Sequence, residues 1–492
     1  MLSRLRKLMK LVAAIMAAIL LTILGVRIYD SQRGLPLERW HIYVPEELSR
    51  DELAAAGWKD YLRKESEIFD KLRREVFRQA SPGARKPLDR YVAGSPVDPA
   101  NFAQDFNRSF VLEPQGAPRG VAVLLHGLTD SPYSLRHIAK IYSDRGFVAI
   151  VPRLPAHGTV PAALTDVVWE DWQAATRLAV REARRRVDAA APLHLVGYSN
   201  GGALAVKYAL DSIADDTLAR PARIVLFSPM IGVTRFARFA GLAGLPAFLP
   251  AFAKAAWLDI VPEFNPFKYN SFPVNAARQT HRLTQVLQEQ IALYNQDKRI
   301  DRLPPIITFQ SVMDSTVSTP SIVSALYAAL PDNGSELVLF DINRAIRFDA
   351  LVRDRADTLL TRILPEGPQL YRTTILTNDS TGPVVERVTE AGAVQERTRP
   401  LNLAYPPGFF SLSHVAVPFP LSDALYGAEP DMSEDFGLNL GTIAPRGERN
   451  VLIVSLDTLL RATSNPFFPY IAQRLENGVI SLADAPAGKA RP

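Results

Sequence analysis

Leu193-His194-Leu195-Val196-Gly197-Tyr198-Ser199-Asn200-Gly201-Gly202-Ala203-Leu204-Ala205-Val206 decides the fold. Leu193 to Val196 has the apolar character of a short buried strand, and Gly202 to Leu210 reads as a helix, so Ser199 falls on the sharp turn between them. Gly197 and Gly201 lack the Cβ atoms that would clash in such a turn, which lets the serine take a strained backbone with Oγ exposed above a sheet. The free N–H groups and dipole of the following helix favour the negative charge that forms when a hydroxyl attacks a carbonyl. Ser199 is the candidate nucleophile.

Outward from this turn, short apolar runs alternate with amphipathic helices from Gly120 onward. The runs are Val121 to Leu125, Phe147 to Val151, Leu193 to Val196, Ile224 to Phe227, Ile306 to Phe309 and Leu337 to Phe340. Helical patterns over Ser134 to Arg145, Trp169 to Val187, Gly202 to Ile213 and Pro320 to Leu330 separate them. Strands this apolar predict an α/β fold with a mostly parallel sheet covered by helices on both faces. Two stretches break the rhythm. Residues 233–298, with the Phe- and Leu-rich run Phe236 to Pro250, predict a helical lid and an acyl-binding wall, or equally a helical hairpin packed on the core. Residues 343–407 carry two β-prone runs around Asn378-Asp379-Ser380-Thr381-Gly382-Pro383 and predict a β-hairpin insertion. The resulting division is a membrane helix over 1–28, a mostly helical extension over 29–107, the main domain over 108–430, and a C-terminal extension over 431–492 packing on the core.

The composition is globular: 47% apolar and 22% charged over 492 residues. A formal charge of +5, part of it in Arg4, Arg6, Lys7 and Lys10, leaves no nucleic-acid footprint. With no cysteine and seven scattered histidines, the chain offers no structural zinc ligand set, and no metal or cofactor is expected. Leu11 to Val26 is uncharged and reaches about 24 Å as a helix, short of a hydrocarbon core of about 30 Å unless Lys10 and Arg27 snorkel. The preceding basic residues predict an uncleaved signal anchor in the inner membrane, with the main domain on the extracytoplasmic side. No small-x-small site follows the apolar run, so cleavage is disfavoured.

Leu125-His126-Gly127-Leu128-Thr129-Asp130, Arg153-Leu154-Pro155-Ala156-His157-Gly158, Trp169-Glu170-Asp171-Trp172 and the Ser199 turn occur in that order. In this the chain resembles the α/β-hydrolase superfamily, most of all its bacterial carboxylesterase and monoacylglycerol-lipase branch. The resemblance covers roughly Gly120 to Met230. It implies that the backbone N–H groups of Leu128 and Asn200 form an oxyanion hole, supported by the loop residues His126, Gly127, Gly197 and Gly201. It also implies a triad running serine, acid, histidine along the chain. His126 precedes the serine and takes a structural role in shaping the oxyanion loop, and His157 is read as a loop hydrogen-bonder.

Asp314 follows the run Ile306 to Phe309 in an Asp-x-x-Val arrangement that looks like the family's acid loop; Asp301 and Asp341 are its rivals. Two histidines beyond Ser199 compete for the base. His281 lies inside the lid and before the acid, which leaves His414 by elimination, about one hundred residues past Asp314 and so at odds with the compact family pattern. The reading is a membrane-anchored serine hydrolase that cleaves acyl or lipid esters through an acyl-serine, with Ser199, His414 and Asp314 as triad. An acyltransferase acting on an envelope lipid or polymer, and a non-catalytic envelope binding protein on the same fold, are the alternatives. Partners are a small acyl ester or lipid and a membrane surface reached by the N-terminal helix and the lid.

Overall fold

A ten-stranded sheet organises the chain: β1 (Phe110–Leu112), β2 (Gly120–Leu125), β3 (Phe147–Val151), β4 (Leu193–Tyr198), β5 (Arg223–Phe227), β6 (Ile306–Ser311), β7 (Glu336–Phe340), β8 (Arg372–Asn378), β9 (Val384–Thr389) and β10 (Glu396–Pro400). Their spatial order is β10-β9-β8-β7-β6-β5-β4-β2-β3-β1. Strands β2 to β8 run parallel. Only the edges are antiparallel, β1 on one side and β9 and β10 on the other. The computed structural model describes residues 2–79, 88–232, 250–345, 359–379, 381–443 and 460–480.

The described helices used below are α1 (Leu2–Arg33), α2 (Arg50–Ala55), α3 (Trp58–Glu75), α4 (Arg136–Asp144), α5 (Trp169–Arg185), α6 (Asn200–Ala214), α7 (Val274–Gln296) and α8 (Phe468–Arg474). Every residue of β2 is buried, yet its side chains still divide with period two. Val121, Val123 and Leu125 join a core formed with α5, α6 and α7, whereas Ala122 and Leu124 join one formed with α4 and α8. Both faces are therefore covered, which is why the strands read as continuous apolar runs.

The N-terminal extension folds onto the first of these cores. Leu53 of α2 and Trp58, Tyr61 and Leu72 of α3 are buried in it. Ser49 and Glu52 cap α2 reciprocally: Glu52 N–H donates to Ser49 Oγ at 3.3 Å and Ser49 N–H to Glu52 Oε2 at 2.8 Å. At the other end of the chain, Phe467 stacks on Phe340 of β7, with centroids 5.7 Å apart, and Tyr470 of α8 donates to Glu386 of β9 at 2.7 Å.

Two expectations change, and a third lies largely outside the described residues. The membrane-spanning helix expected over 1–28 is replaced by α1, and among the described residues no helix is long and apolar enough to cross a membrane. The uncharged run inside α1 covers only about 24 Å, and charged residues enter the helix at both of its ends. The expected insertion over 343–407 does contain a hairpin, but its first strand, β8, pairs in parallel with β7 and continues the central sheet instead of forming a separate unit. Of the expected lid, residues 233–249, which hold nearly all of the apolar run, lie outside the described residues. The rest carries a short antiparallel pair, Trp257–Asp259 with Phe272–Pro273, and then α7, whose Leu283, Leu287 and Ile291 are buried in the core.

Candidate active site

Ser199 stands between β4 and α6 with φ 53° and ψ −115°, a conformation that ordinary side chains avoid. Close packing on every side holds it there. A Cβ on Gly197 would lie 2.4 Å from the Gly201 carbonyl oxygen, and one on Gly201 would lie 1.9 Å from that of Leu125. Ser199 N–H donates to Phe227 O at 3.0 Å, and its own carbonyl accepts from Met230 N–H at 2.9 Å, so β5 and the loop after it fix the turn. Ser199 is 4% exposed.

Gly127 abuts the serine: a Cβ there would sit 3.2 Å from the Ser199 Cβ. This brings Leu128 to the serine's flank. Among the described residues, neither the Leu128 nor the Asn200 backbone N–H donates to a protein acceptor. Thr129, the next residue, has φ 61° and accepts from Tyr269 N–H at 2.7 Å.

His414 Nε2 lies 3.0 Å from Ser199 Oγ, and its Nδ1 lies 2.8 Å from Asp314 Oδ2. One tautomer satisfies both contacts: Nδ1–H donates to the carboxylate and Nε2 accepts the serine hydroxyl proton. Asp314 Oδ1 accepts from the N–H groups of Thr316 (2.8 Å) and Val317 (3.0 Å). Burial pushes the Asp314 carboxyl up, but the His414 imidazole and these donors bring it below its ordinary value. The Tyr198 ring stacks on that of His414, with centroids 5.4 Å apart.

The long interval before His414 closes on itself. Asn343, just past β7, donates from its backbone N–H to Phe410 O and from its side chain to Phe409 O, both at 2.8 Å. Ser311 Oγ then donates to Leu412 O at 2.8 Å. The chain leaves the sheet at Asn343, adds β8 to β10, and returns to the same point, so His414 arrives beside the end of β6. The rival acids are engaged elsewhere: Asp341 accepts from Arg344 and Thr377, and Asp301 is exposed in a short turn. His281 lies on α7 and is not the imidazole bonded to Ser199.

The sequence profile of the alpha/beta hydrolase family matches residues 122–367, half of the chain. The chain belongs to the alpha/beta hydrolase family. It is 24% identical over 226 residues to the thermostable monoacylglycerol lipase of Bacillus sp. (strain H-257), a match covering 46% of this chain and 81% of that protein. Among solved structures it is similar to one from a study of LipS and LipT, two metagenome-derived lipolytic enzymes (22% identity, TM-score 0.38, 48% of this chain and 88% of that one). It is also similar to a soluble variant of monoglyceride lipase from Saccharomyces cerevisiae in complex with a substrate analog (15% identity, TM-score 0.37, 47% and 81%).

In this hydrolase the remaining histidines of the motifs are committed to loops. His126 is fully buried; its Nε2 accepts from Leu154 N–H at 3.0 Å, so Nδ1–H donates to Gly127 O at 2.9 Å. Burial drives it well below the usual imidazole range, and His157, bonded to Pro155 O at 3.0 Å, is lowered to about 4 for the same reason. The loop that carries Leu154 and His157 is gripped by the N-terminal extension. Fully buried Arg153 pairs with Glu47 and Glu65, and Glu47 also accepts from Ala156 N–H at 2.9 Å. Nothing in the sequence points to Glu47, Glu65 or Gln310, which donates to Asp314 Oδ2 at 3.2 Å, because their partners are fixed only by chain crossing.

A cavity of about 780 Å³ between α2, α5 and α6, lined in part by Trp169, Arg177, Lys207, Tyr208 and Asp211, contains none of the residues around Ser199.

Proposed function

We propose that this protein is a serine hydrolase that cleaves carboxylic esters of acyl or lipid type through an acyl-serine intermediate. The observation that carries the reading is the line Ser199 Oγ, His414 Nε2, His414 Nδ1, Asp314 Oδ2, with contacts of 3.0 and 2.8 Å. In this reading Ser199 Oγ attacks the ester carbonyl carbon and its proton passes to His414 Nε2. The carbonyl oxygen takes the negative charge and is held by the Leu128 and Asn200 N–H groups, each such donor supplying about 3 kcal/mol in the transition state. The tetrahedral adduct collapses, the alcohol leaves with the proton from His414, and the acyl group stays on Ser199. Water then attacks the acyl-serine, gives its proton to His414, and the acid departs as Ser199 Oγ regains that proton. Asp314 keeps the imidazole in the required tautomer and stabilises the imidazolium.

Similarity to a monoacylglycerol lipase favours acylglycerol esters, and a membrane address belongs to the same proposal. It is supported by Arg4, Arg6, Lys7 and Lys10 and by exposed Leu11, Ile15, Met16 and Ile19 on α1, which suit a helix lying on a membrane surface. Recovery in the soluble fraction after cell fractionation would remove that address.

Hydrolysis of p-nitrophenyl esters from acetate to palmitate, measured beside Ser199→Ala and His414→Ala, tests the chemistry. Activity lost by several orders of magnitude in each variant is expected, because such groups act as a unit. A protein that neither hydrolyses these esters nor labels with a fluorophosphonate overturns the reading. Labelling without hydrolysis redirects it to acyl transfer.

A further inference from the structure

Gln310 is a fully buried amide on β6, a strand in the middle of the ten-stranded sheet. A polar group in such a place is costly unless it is hydrogen-bonded, and Gln310 meets that demand at one end only. Its Nε2–H groups are shared among Thr319 Oγ1 at 2.9 Å, Ser311 O at 3.1 Å and Asp314 Oδ2 at 3.2 Å. Its Oε1 is buried with no donor among the described residues. Reversing the amide would set Oε1 against Asp314 Oδ2 and Ser311 O, two acceptors without a proton, so the network fixes the orientation.

The unpaired carbonyl is a cost that an apolar residue of the same size would avoid. The amide nitrogen is the end that reaches the triad. Asp314, whose side chain is fully enclosed, has four donors among the described residues: the N–H groups of Thr316 and Val317 on Oδ1, and His414 Nδ1 and Gln310 Nε2 on Oδ2. Gln310 therefore shares the oxygen that faces the imidazole. It is held from behind, because Thr319 Oγ1 donates to Ser311 O at 3.1 Å. Ser311 Oγ in turn donates to Leu412 O at 2.8 Å, two residues before His414. This mesh joins the loop of the acid to the loop of the base through the end of β6.

We propose that Gln310 is a positioning residue of the triad: its amide fixes the Asp314 carboxylate and takes up part of the charge that Oδ2 presents to His414. This rests on the serine hydrolase reading above. An N–H donated to Oδ2 weakens the hold of the carboxylate on the imidazolium, so its removal favours the protonated imidazole. The other charged and titratable groups around the pair come from separate elements. They are Asp130, from the loop after β2, whose carboxyl feels the His414 charge; Tyr198, at the end of β4, whose ring stacks on His414; and Arg461, whose Nη2 donates to Thr316 Oγ1 at 3.0 Å. None of them bonds to Gln310, so a change at that residue leaves their charges in place.

The test is the pH dependence of kcat/KM for 4-nitrophenyl butyrate, and of the rate of fluorophosphonate labelling of Ser199, which needs no deacylation. Gln310→Met keeps the length of the side chain and removes both the donor and the unpaired Oε1. The Gln310 bond is the longest of the four at 3.2 Å, and a modest effect is expected. The acid limb of both profiles should move to higher pH by about half a pH unit, with kcat lowered about fivefold and KM little changed. Thr319→Val keeps Gln310 but removes its 2.9 Å partner, and should move the limb the same way by less. A limb that stays in place or moves lower in Gln310→Met overturns the assignment whatever the melting temperature, since a merely structural glutamine changes stability without changing imidazole protonation. If that variant is insoluble, the same result in Thr319→Val overturns it. A wild-type protein that neither cleaves the ester nor labels overturns the triad, and the role of Gln310 with it.

Discussion

Arg153 and Glu47 are joined by two parallel hydrogen bonds, Nη1 to Oε1 at 2.7 Å and Nη2 to Oε2 at 2.8 Å, across 106 residues of chain. Through this pair the N-terminal extension holds the Arg153–His157 loop, and Leu154 of that loop holds His126 beneath the Leu128 turn. Burial pushes the Glu47 carboxyl up, and Arg153 together with the Ala156 N–H brings it below its usual value. Burial raises Glu65, the second partner, which Arg153 offsets only in part.

Glu47→Gln is therefore expected to cost about 3 kcal/mol in urea unfolding, the lower end for a broken buried pair because Glu65 still faces the guanidinium. At 25 °C the folded variant should lose more than tenfold in kcat with its KM little changed. A kcat equal to wild type would show that the clamp supports the fold and does not reach the oxyanion loop.

Asp314→Asn leaves the side-chain shape intact but offers no carboxylate to the His414 N–H. The imidazole then loses its tautomer, and kcat should drop on the order of 10⁴-fold. Fluorophosphonate labelling should slow in parallel while the melting temperature stays near wild type. Retention of more than a tenth of the activity would count against Asp314 as the acid.

The turn at Ser199 separates stability from activity. Ser199→Gly removes a side chain from φ 53°, where a non-glycine residue costs about 1–3 kcal/mol, and a gain of about 1 kcal/mol is expected after the added chain entropy of glycine. Gly201→Ala, by contrast, drives a Cβ to 1.9 Å from Leu125 O and should unfold the protein or leave it insoluble. If calorimetry finds Ser199→Gly clearly less stable than wild type, the turn stores no strain.

Acid should weaken the fold through its buried histidines. Burial lowers His41 and His157 to about 4, His194 to about 3 and His126 well below its usual value. The unfolded chain binds these protons near pH 6.5 and the folded one does not, so stability is complete above about pH 6.5 and falls as pH drops toward 4. Each group contributes a slope of up to about 1.4 kcal/mol per pH unit. Burial raises Glu263 to about 7 and Asp130 to about 6, and these act oppositely, adding stability at low pH that is lost as pH rises through those values. Glu65 and Asp171 are raised as well, but burial also lowers His137, and the carboxyls of Glu47, Asp314 and Asp423, held below their usual value, lose stability in acid in the same direction as the histidines. Urea midpoints should therefore fall between pH 6.5 and 4.5, and His194→Gln should flatten that dependence; a rising midpoint over this range contradicts the assignment.

Much of this was legible along the chain. The strand and helix around Ser199, the order of the motifs and the covered parallel sheet follow from hydrophobic runs and from two glycines, signals that act over a few residues. Asp314 was readable because it lies five residues past the apolar run Ile306 to Phe309, in an Asp-x-x-Val arrangement that resembles the family's acid loop.

What the sequence could not supply is everything that depends on where distant segments return. His414 emerged only by elimination, and it is the Asn343–Phe410 hydrogen bond that brings it to Ser199 after three added strands. Whether residues 372–389 form a separate hairpin or the sheet's own edge depends on pairing with β7, since alternation along a strand does not name its neighbour. Arg153 stands in a motif that does not name its partners, and Glu47 and Glu65 look like ordinary surface charges in the sequence. Local propensity and periodicity are set by neighbouring residues and are written in the chain, whereas ion pairs and register across a hundred residues exist only once the core has packed.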